Sequence, residues 1–299
     1  MIWGSELWIL SAVPERKSCC TDTGQTIDEL LREQGAQLMG EHLYARFGDT
    51  FPLLIKFIEA NDDLSVQVHP ADELARKYGH PWGKTEMWYA LPSKPGAQIF
   101  CGLKQPLTPE EYKRKVDDKT ILDAVAQFEV NDGDCFFIPA GRIHAIGSGC
   151  RVCEIQQTSD LTYRIYDYDR RDKNGNAREL HTELAAECIN YEDYKQSALR
   201  SRYTDISCPL PTANCLFSCA YFTTNILRLN DTLPRDYSAL DSFVCLVILE
   251  GEGTIEEMGR DGSVNSQAFN EGDLLLLPAT TQNVTLHGTL RALEVYIDQ

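Results

Sequence analysis

The chain has 299 residues, enough for one large or two ordinary domains with well-buried cores, and its hydrophobic and charged fractions are those of a globular protein. A net charge of −17 argues against a nucleic-acid or membrane partner, so any anionic small molecule must be met by a local cluster of cations. No run approaches the roughly 20 apolar residues of a membrane span and no signal-peptide pattern opens the chain; with eleven scattered cysteines, some in apolar runs (Cys101, Cys135, Cys245), this predicts a cytoplasmic protein with free thiols.

The chain opens on a strand-like stretch, Met1 to Trp8. Thr26-Ile27-Asp28-Glu29 has capping-box spacing and predicts a helix through about Gln34, closed by Gly35. Phe51 to Glu59 is an apolar run of strand length broken by Lys56, a residue that either snorkels to an edge or reaches a site holding an anion. Next comes LSVQVHP. Alternation puts Leu64, Val66 and Val68 on one face and Ser65, Gln67 and His69 on the other, before Pro70 ends the strand. Residues 72–78 can form two helical turns, and Lys84-Thr85-Glu86-Met87-Trp88 resumes the alternation with Lys84, Glu86 and Trp88 on one side. If these strands are neighbours, an imidazole, an amide oxygen and a carboxylate converge. A single His beside a proline is commonly a loop or core residue, but an amide and an imidazole on an otherwise apolar strand each need a buried partner.

Thr108-Pro109-Glu110-Glu111 is a second capping box, predicting a polar helix to about Gln127. A strand-rich block from Val130 to Ile155 follows, then a loop rich in Asp, Tyr and Arg, then a helix from His181 to Ile189. Cys150-Arg-Val-Cys153 has metal or redox spacing but no second pair, so it reads as strand thiols. From Cys208 onward short apolar strands alternate with Gly, Asn and Asp turns.

An internal repeat organises the whole. Asn131-Asp-Gly-Asp-Cys-Phe-Phe-Ile-Pro-Ala-Gly-Arg-Ile-His144 aligns without gaps on Asn270-Glu-Gly-Asp-Leu-Leu-Leu-Leu-Pro-Ala-Thr-Thr-Gln-Asn283, implying two copies of one β unit and two barrels of related build. His144 becomes Asn283 in the second copy, which also lacks a counterpart of Gln67-Val-His69, so chemistry is expected in the first. The metal ligands are assigned as Gln67, His69, Glu86 and His144; mixed nitrogen and oxygen donors without thiolate suit zinc, one ion per chain, with room for water or a substrate oxygen.

QVHP, KTEMWYAL, FFIPAGRIHAIG and SDLTYRIYDYDR, in that order, resemble the type I mannose-6-phosphate isomerases in their short bacterial form, a family of the cupin superfamily, and the likeness spans almost the whole chain. It implies a mainly β fold of two cupin-like (jelly-roll) barrels with helical insertions around the first: residues 1–190 as the metal-binding catalytic domain and 191–299 as a degenerate barrel without metal. In the family, the residues matching Gln67, His69, Glu86 and His144 bind zinc, the one matching Arg164 is the active-site arginine, and those matching Glu6, Ser65, Lys84, Glu154 and Arg170 line the pocket. The chain starts after a strand and a Trp-Gly-Gly loop that relatives generally carry, implying a short gene model or a more open pocket. Ile146 stands where eukaryotic-type members have a tyrosine.

The implied reaction interconverts mannose 6-phosphate and fructose 6-phosphate through an enediol or enediolate. Glu154, Lys84 or a hydroxide on the metal could move the proton between C2 and C1. Arg164, Lys56, Lys84, Arg142 and Arg170 are the cations available to the phosphate. Two alternatives remain: another metal-dependent cupin enzyme, such as a non-haem iron oxygenase, or a non-catalytic sugar-phosphate-binding cupin.

Overall fold

The computed structural model of the chain describes residues 3–195, 214–259 and 263–298; the expectations for Met1-Ile2 and for the onset of the strands at Cys208 lie outside these residues. In chain order the elements are β1 (Gly4–Leu10), α1 (Ile27–Gln34), α2 (Ala36–Met39), α3 (Glu41–Phe47), β2 (Leu53–Ala60), β3 (Val66–Val68), α4 (Asp72–Lys77), β4 (Glu86–Leu91) and β5 (Gln98–Leu103). They continue with α5 (Pro109–Asp117), β6 (Val125–Glu129), β7 (Cys135–Ile138), β8 (His144–Ile146), β9 (Arg151–Gln157), β10 (Tyr163–Tyr166) and α6 (Thr182–Cys188). The remainder is β11 (Asn214–Ser218), β12 (Thr223–Leu229), β13 (Thr232–Asp236), β14 (Val244–Met258), β15 (Val264–Asn270), β16 (Leu274–Leu277) and β17 (Asn283–Tyr296).

Two compact units emerge: Met1–Trp8 with Leu53–Arg202, and Ile9–Pro52 with Tyr203–Gln299. A single cut between residues 190 and 191 therefore does not describe the packing, since the segment carrying α1 to α3 groups with the C-terminal strands. The helical insertions of the first unit are α4, α5 and α6.

The first unit contains two five-stranded sheets, ordered β1-β2-β9-β4-β7 and β10-β3-β8-β5-β6. Ile58, Trp88, Ala90, Phe136, Ile138 and Val152 from the first sheet share one core with Ile99, Cys101, Ala126 and Ile146 from the second. The opposite face of the second sheet, carrying Val66, Val68, Ala145, Tyr163 and Ile165, is covered by Tyr112 of α5, Ile121, and Ala185 of α6. Both predicted capping boxes form, at Thr26 with Glu29 and at Thr108 with Glu111. The second helix ends at Asp117, well short of Gln127: Lys119 takes φ 59°, and Val125 and Ala126 then point to opposite cores as strand residues.

The condition that β3 and β4 be neighbours is not met: β3 lies between β10 and β8 in one sheet, β4 between β9 and β7 in the other. Their polar faces meet across the interior rather than along a shared ladder.

In the second unit β11-β12-β17-β14-β15 form a sheet to which β13 adds through β17 and β16 through β14. The repeat survives to the atom. β7 and β16 occupy aligned positions, Gly133 and Gly272 take φ 84° and 91°, and Asn131 and Asn270 each donate a backbone N–H to Asp134 and Asp273 at 2.8 and 2.7 Å. Glu86 stands opposite Ile138 where Val244 stands opposite Leu277, so the carboxylate becomes a valine in the second copy as the imidazole becomes Asn283.

Candidate metal centre

Three strands deliver the centre. His69 follows β3, His144 opens β8 beside it in the same sheet, and Glu86 opens β4 in the facing sheet. His69 is 1% exposed and the other two are fully buried. The potential ligand atoms of His69, Glu86 and His144 lie within 4.8 Å of one another. His69 Nε2 is 3.1 Å from His144 Nε2 and 3.7 Å from Glu86 Oε2, and His144 Nε2 is 3.4 Å from Glu86 Oε1. Atoms bonded tetrahedrally to one zinc-sized ion at about 2.0–2.1 Å stand roughly 3.3 Å apart, so these spacings fit a shared cation.

Backbone carbonyls fix both tautomers. His69 Nδ1 donates to the Leu161 carbonyl at 2.8 Å and His144 Nδ1 to the Arg142 carbonyl at 2.9 Å, leaving two Nε2 lone pairs aimed at the same space. Burial then keeps both rings neutral, pushing His144 down to about 3 and His69 well below its ordinary value, helped at His69 by the charge of Lys84. Among the described residues neither oxygen of Glu86 accepts a well-directed hydrogen bond; Lys84 Nζ lies 2.7 Å from Oε2 as an ion pair and 3.1 Å from His69 Nε2. A buried carboxylate with two facing lone pairs is costly alone and suits a divalent cation. Gln67 stands directly opposite His144 in the β3–β8 pair and so shares its face of the sheet.

A second buried pair lines the same interior. Lys56, Glu154 and Trp88 are cross-strand partners on β2, β9 and β4. Lys56 Nζ is 3.0 Å from Glu154 Oε1, and Trp88 Nε1 donates to Oε2 at 2.9 Å. Burial would raise Glu154, but Lys56 and Lys84 outweigh it and hold the carboxylate ionised. Glu86 goes the other way, pushed up by burial and by the charge of Glu154 against the pull of Lys84. Lys84 itself is disfavoured by burial yet kept protonated by Glu86 and Glu154. Lys56 also sits 4.8 Å over the Trp8 ring, whose Nε1 donates to Glu6 at 2.7 Å. Ser65 is buried on the Gln67 and His69 side.

Of the five proposed cations, two are committed elsewhere. Arg142 is forked onto Asp193, with Nε at 2.6 Å and Nη2 at 2.8 Å, and its Nη1 donates to the Phe137 carbonyl at 2.6 Å. Arg170 is pinned to Asp167 at 2.7 Å and to the Asp63 carbonyl. Both are thus held in ion pairs, as Lys56 and Lys84 are, and these pairs anchor Arg142 to Asp193 and Arg170 to Asp167. Arg164 differs. It is the Cα partner of Gln67, and its buried Nε has no partner among the described residues. Trp88 and Trp8 carry no assignment in the sequence reading; the alternation that places Trp88 beside Glu86 was the available signal.

Two family models match, "Phosphomannose isomerase type I, catalytic domain" over residues 4–130 and "Mannose-6-phosphate isomerase, cupin domain" over residues 213–297. Mannose-6-phosphate isomerase ManA of Bacillus subtilis is 33% identical over 288 residues, covering 95% of this chain and 86% of that protein. The chain belongs to the type I phosphomannose isomerase family. Mannose-6-phosphate isomerase of Streptococcus mutans is 31% identical over the same shares. The crystal structure of the B. subtilis mannose 6-phosphate isomerase superimposes with a TM-score of 0.83 at 28% identity, over 98% of this chain and 90% of that one. The fold is mainly β and matches that cupin-type structure. The catalytic-domain match contains Gln67, His69, Lys84 and Glu86 and ends before His144, Glu154 and Arg164, which rest on the geometry above.

Proposed function

We propose that the protein is a zinc-dependent aldose-ketose isomerase interconverting mannose 6-phosphate and fructose 6-phosphate. The observation that carries this reading is the pair of neutral imidazoles and the buried Glu86 pointing their ligand atoms into one space walled by Lys56, Lys84 and Glu154. His69, Glu86 and His144, with Gln67, would hold the ion, one per chain. When bound there, a divalent cation supplies electrophilic polarisation of a substrate oxygen.

The chain's own residues account for the remaining work. Lys56 and Lys84 balance Glu86 and Glu154 when all four are ionised, so the charge of a bound divalent ion is left over to attract a phosphate monoester, with Arg164 adding to it. Lys84, held as a cation, donates to an oxygen that gains charge as the enediolate forms; in that state it is not a base. Glu154 is the ionised carboxylate outside the ligand set, able to take the proton from C2 and return it to C1. Glu6, Ser65 and Trp8 border the sugar. We place the activity in the cytoplasm, where free thiols such as Cys101, Cys135, Cys153 and Cys245 stay reduced.

The test is a coupled assay for fructose 6-phosphate formed from mannose 6-phosphate, with metal content measured on the same sample. Product formation tracking bound zinc supports the reading. A fully metallated, folded protein that binds the sugar phosphate and forms no product overturns it in favour of a binding protein.

A further inference from the structure

Arg164 lies on β10, the edge strand of its sheet, and its backbone is completed by a single residue far along the chain. Its N–H donates to His181 Nδ1 at 3.1 Å, and its carbonyl accepts the His181 N–H at 2.7 Å. Its Nη1 also donates to the Glu179 carbonyl at 2.9 Å. An edge strand presents unpaired donors and acceptors, and here a side chain answers one and a backbone amide the other. An amide N–H can only donate, so the imidazole must offer Nδ1 as a lone pair and carry its proton on Nε2. His181 precedes α6, which is fastened to the outer face of the sheet: Ala185 packs in the core there, Tyr112 donates to the Thr182 carbonyl at 3.2 Å, and Lys113 meets Glu183 at 2.6 Å.

We propose that His181 is a positioning residue for the isomerisation, fixing the Arg164 backbone through Nδ1 so that the guanidinium, with its buried unpartnered Nε, is aimed at the anionic substrate. The proposal rests on the isomerase reading of the site and adds to it a residue that touches neither metal ligand nor sugar. A misplaced arginine loses charge contact as the reaction proceeds, so the damage falls on kcat rather than KM.

The experiment compares His181→Leu, His181→Gln and His181→Asn in the zinc-loaded full chain, alone and combined with Arg164→Ala. Asn places its Oδ1 where Nδ1 stood, whereas Gln moves its amide one carbon further and Leu has no acceptor. His181→Leu and His181→Gln should lower kcat at least about tenfold with KM within about threefold, and His181→Asn should recover to within about threefold of wild type. In the Arg164→Ala background, His181→Leu should change kcat by less than about twofold, because residues acting as one unit are not additive. Wild-type kcat in both Leu and Gln variants, additive losses in the cycle, or an Asn variant as impaired as Leu overturns the proposal alone. A folded, zinc-loaded wild type that forms no fructose 6-phosphate overturns the isomerase reading and this proposal with it.

Discussion

His69 Nε2 and His144 Nε2 face each other at 3.1 Å with no proton available to bridge them, because each ring has its Nδ1 proton on a backbone carbonyl. Two lone pairs so placed repel; Lys84 Nζ, 3.1 Å from His69 Nε2, answers one of them, whereas a divalent cation between the rings would answer both, with Glu86 supplying the counter-charge. Truncating one ring should therefore remove the ion rather than merely weaken catalysis. His144→Ala is expected to lose metal and activity together, read by elemental analysis beside the coupled assay. Full metal occupancy with no activity would contradict the ligand assignment.

Arg164 has a buried Nε without a partner among the described residues, and the part proposed for it is electrostatic. Arg164→Ala should leave zinc bound while lowering kcat at least about a hundredfold, the size of effect seen when a charge contact to a transition state is removed. Near-normal turnover in a metal-replete variant would take Arg164 out of the reaction.

The same neutral imidazoles make the metal-stripped protein acid-sensitive. Both rings have folded pKa values below the ordinary 6.5, so between pH 6.5 and 5 the unfolded chain binds more protons at these sites and stability falls as pH falls. Glu86, pushed up to about 7 by burial and by Glu154, already holds a proton in the folded state over this range while its unfolded counterpart is still largely ionised, and so offsets one ring. The net slope from this group is roughly 1.4 kcal/mol per pH unit. Urea unfolding of chelator-treated protein at several pH values measures it, and a curve that is flat or rises toward pH 5 would show that the rings are not held neutral.

Arg142 is expected to serve the architecture. Its fork onto Asp193 ties β8 to the segment after α6, and both side chains are largely buried. Arg142→Ala strands a half-buried carboxylate and removes three hydrogen bonds, so the fold should lose stability. Thermal melting should fall sharply while the KM of the folded fraction stays within about twofold of wild type. A large rise in KM with normal melting would restore Arg142 to the substrate.

What could be read from the residues, and what could not, divides along physical lines. Capping boxes are local, so Thr26 with Glu29 and Thr108 with Glu111 announced where their helices begin, while the end of the second, at Asp117, was not marked by them. The repeat is a pattern in one dimension, and it set β7 against β16 residue for residue. Partner choice is not local. Nothing in residues 64–88 says that β3 and β4 enter different sheets, and counting arginines near the motifs could not show that Asp193 claims Arg142 or Asp167 claims Arg170. The grouping of His69, Glu86 and His144 was less exposed to this blindness because alternation alone put His69 and Glu86 on interior faces, whichever sheet each joined.

Glu154 is where Lys56 and Trp88 converge, and the task proposed for it makes a prediction independent of rate. A residue that carries a proton from C2 to C1 exposes that proton to exchange with solvent during turnover. In deuterated water the wild type should incorporate label at the carbon that receives the proton. Glu154→Gln keeps the shape and the Trp88 contact but cannot accept a proton, so turnover and label incorporation should fall together by about 10²–10⁴-fold. Zinc should remain, since Glu154 is outside the His69, Glu86 and His144 group. A variant that still washes label into the substrate at the wild-type rate would move the proton transfer to another group and leave Glu154 as the carboxylate that orders Lys56.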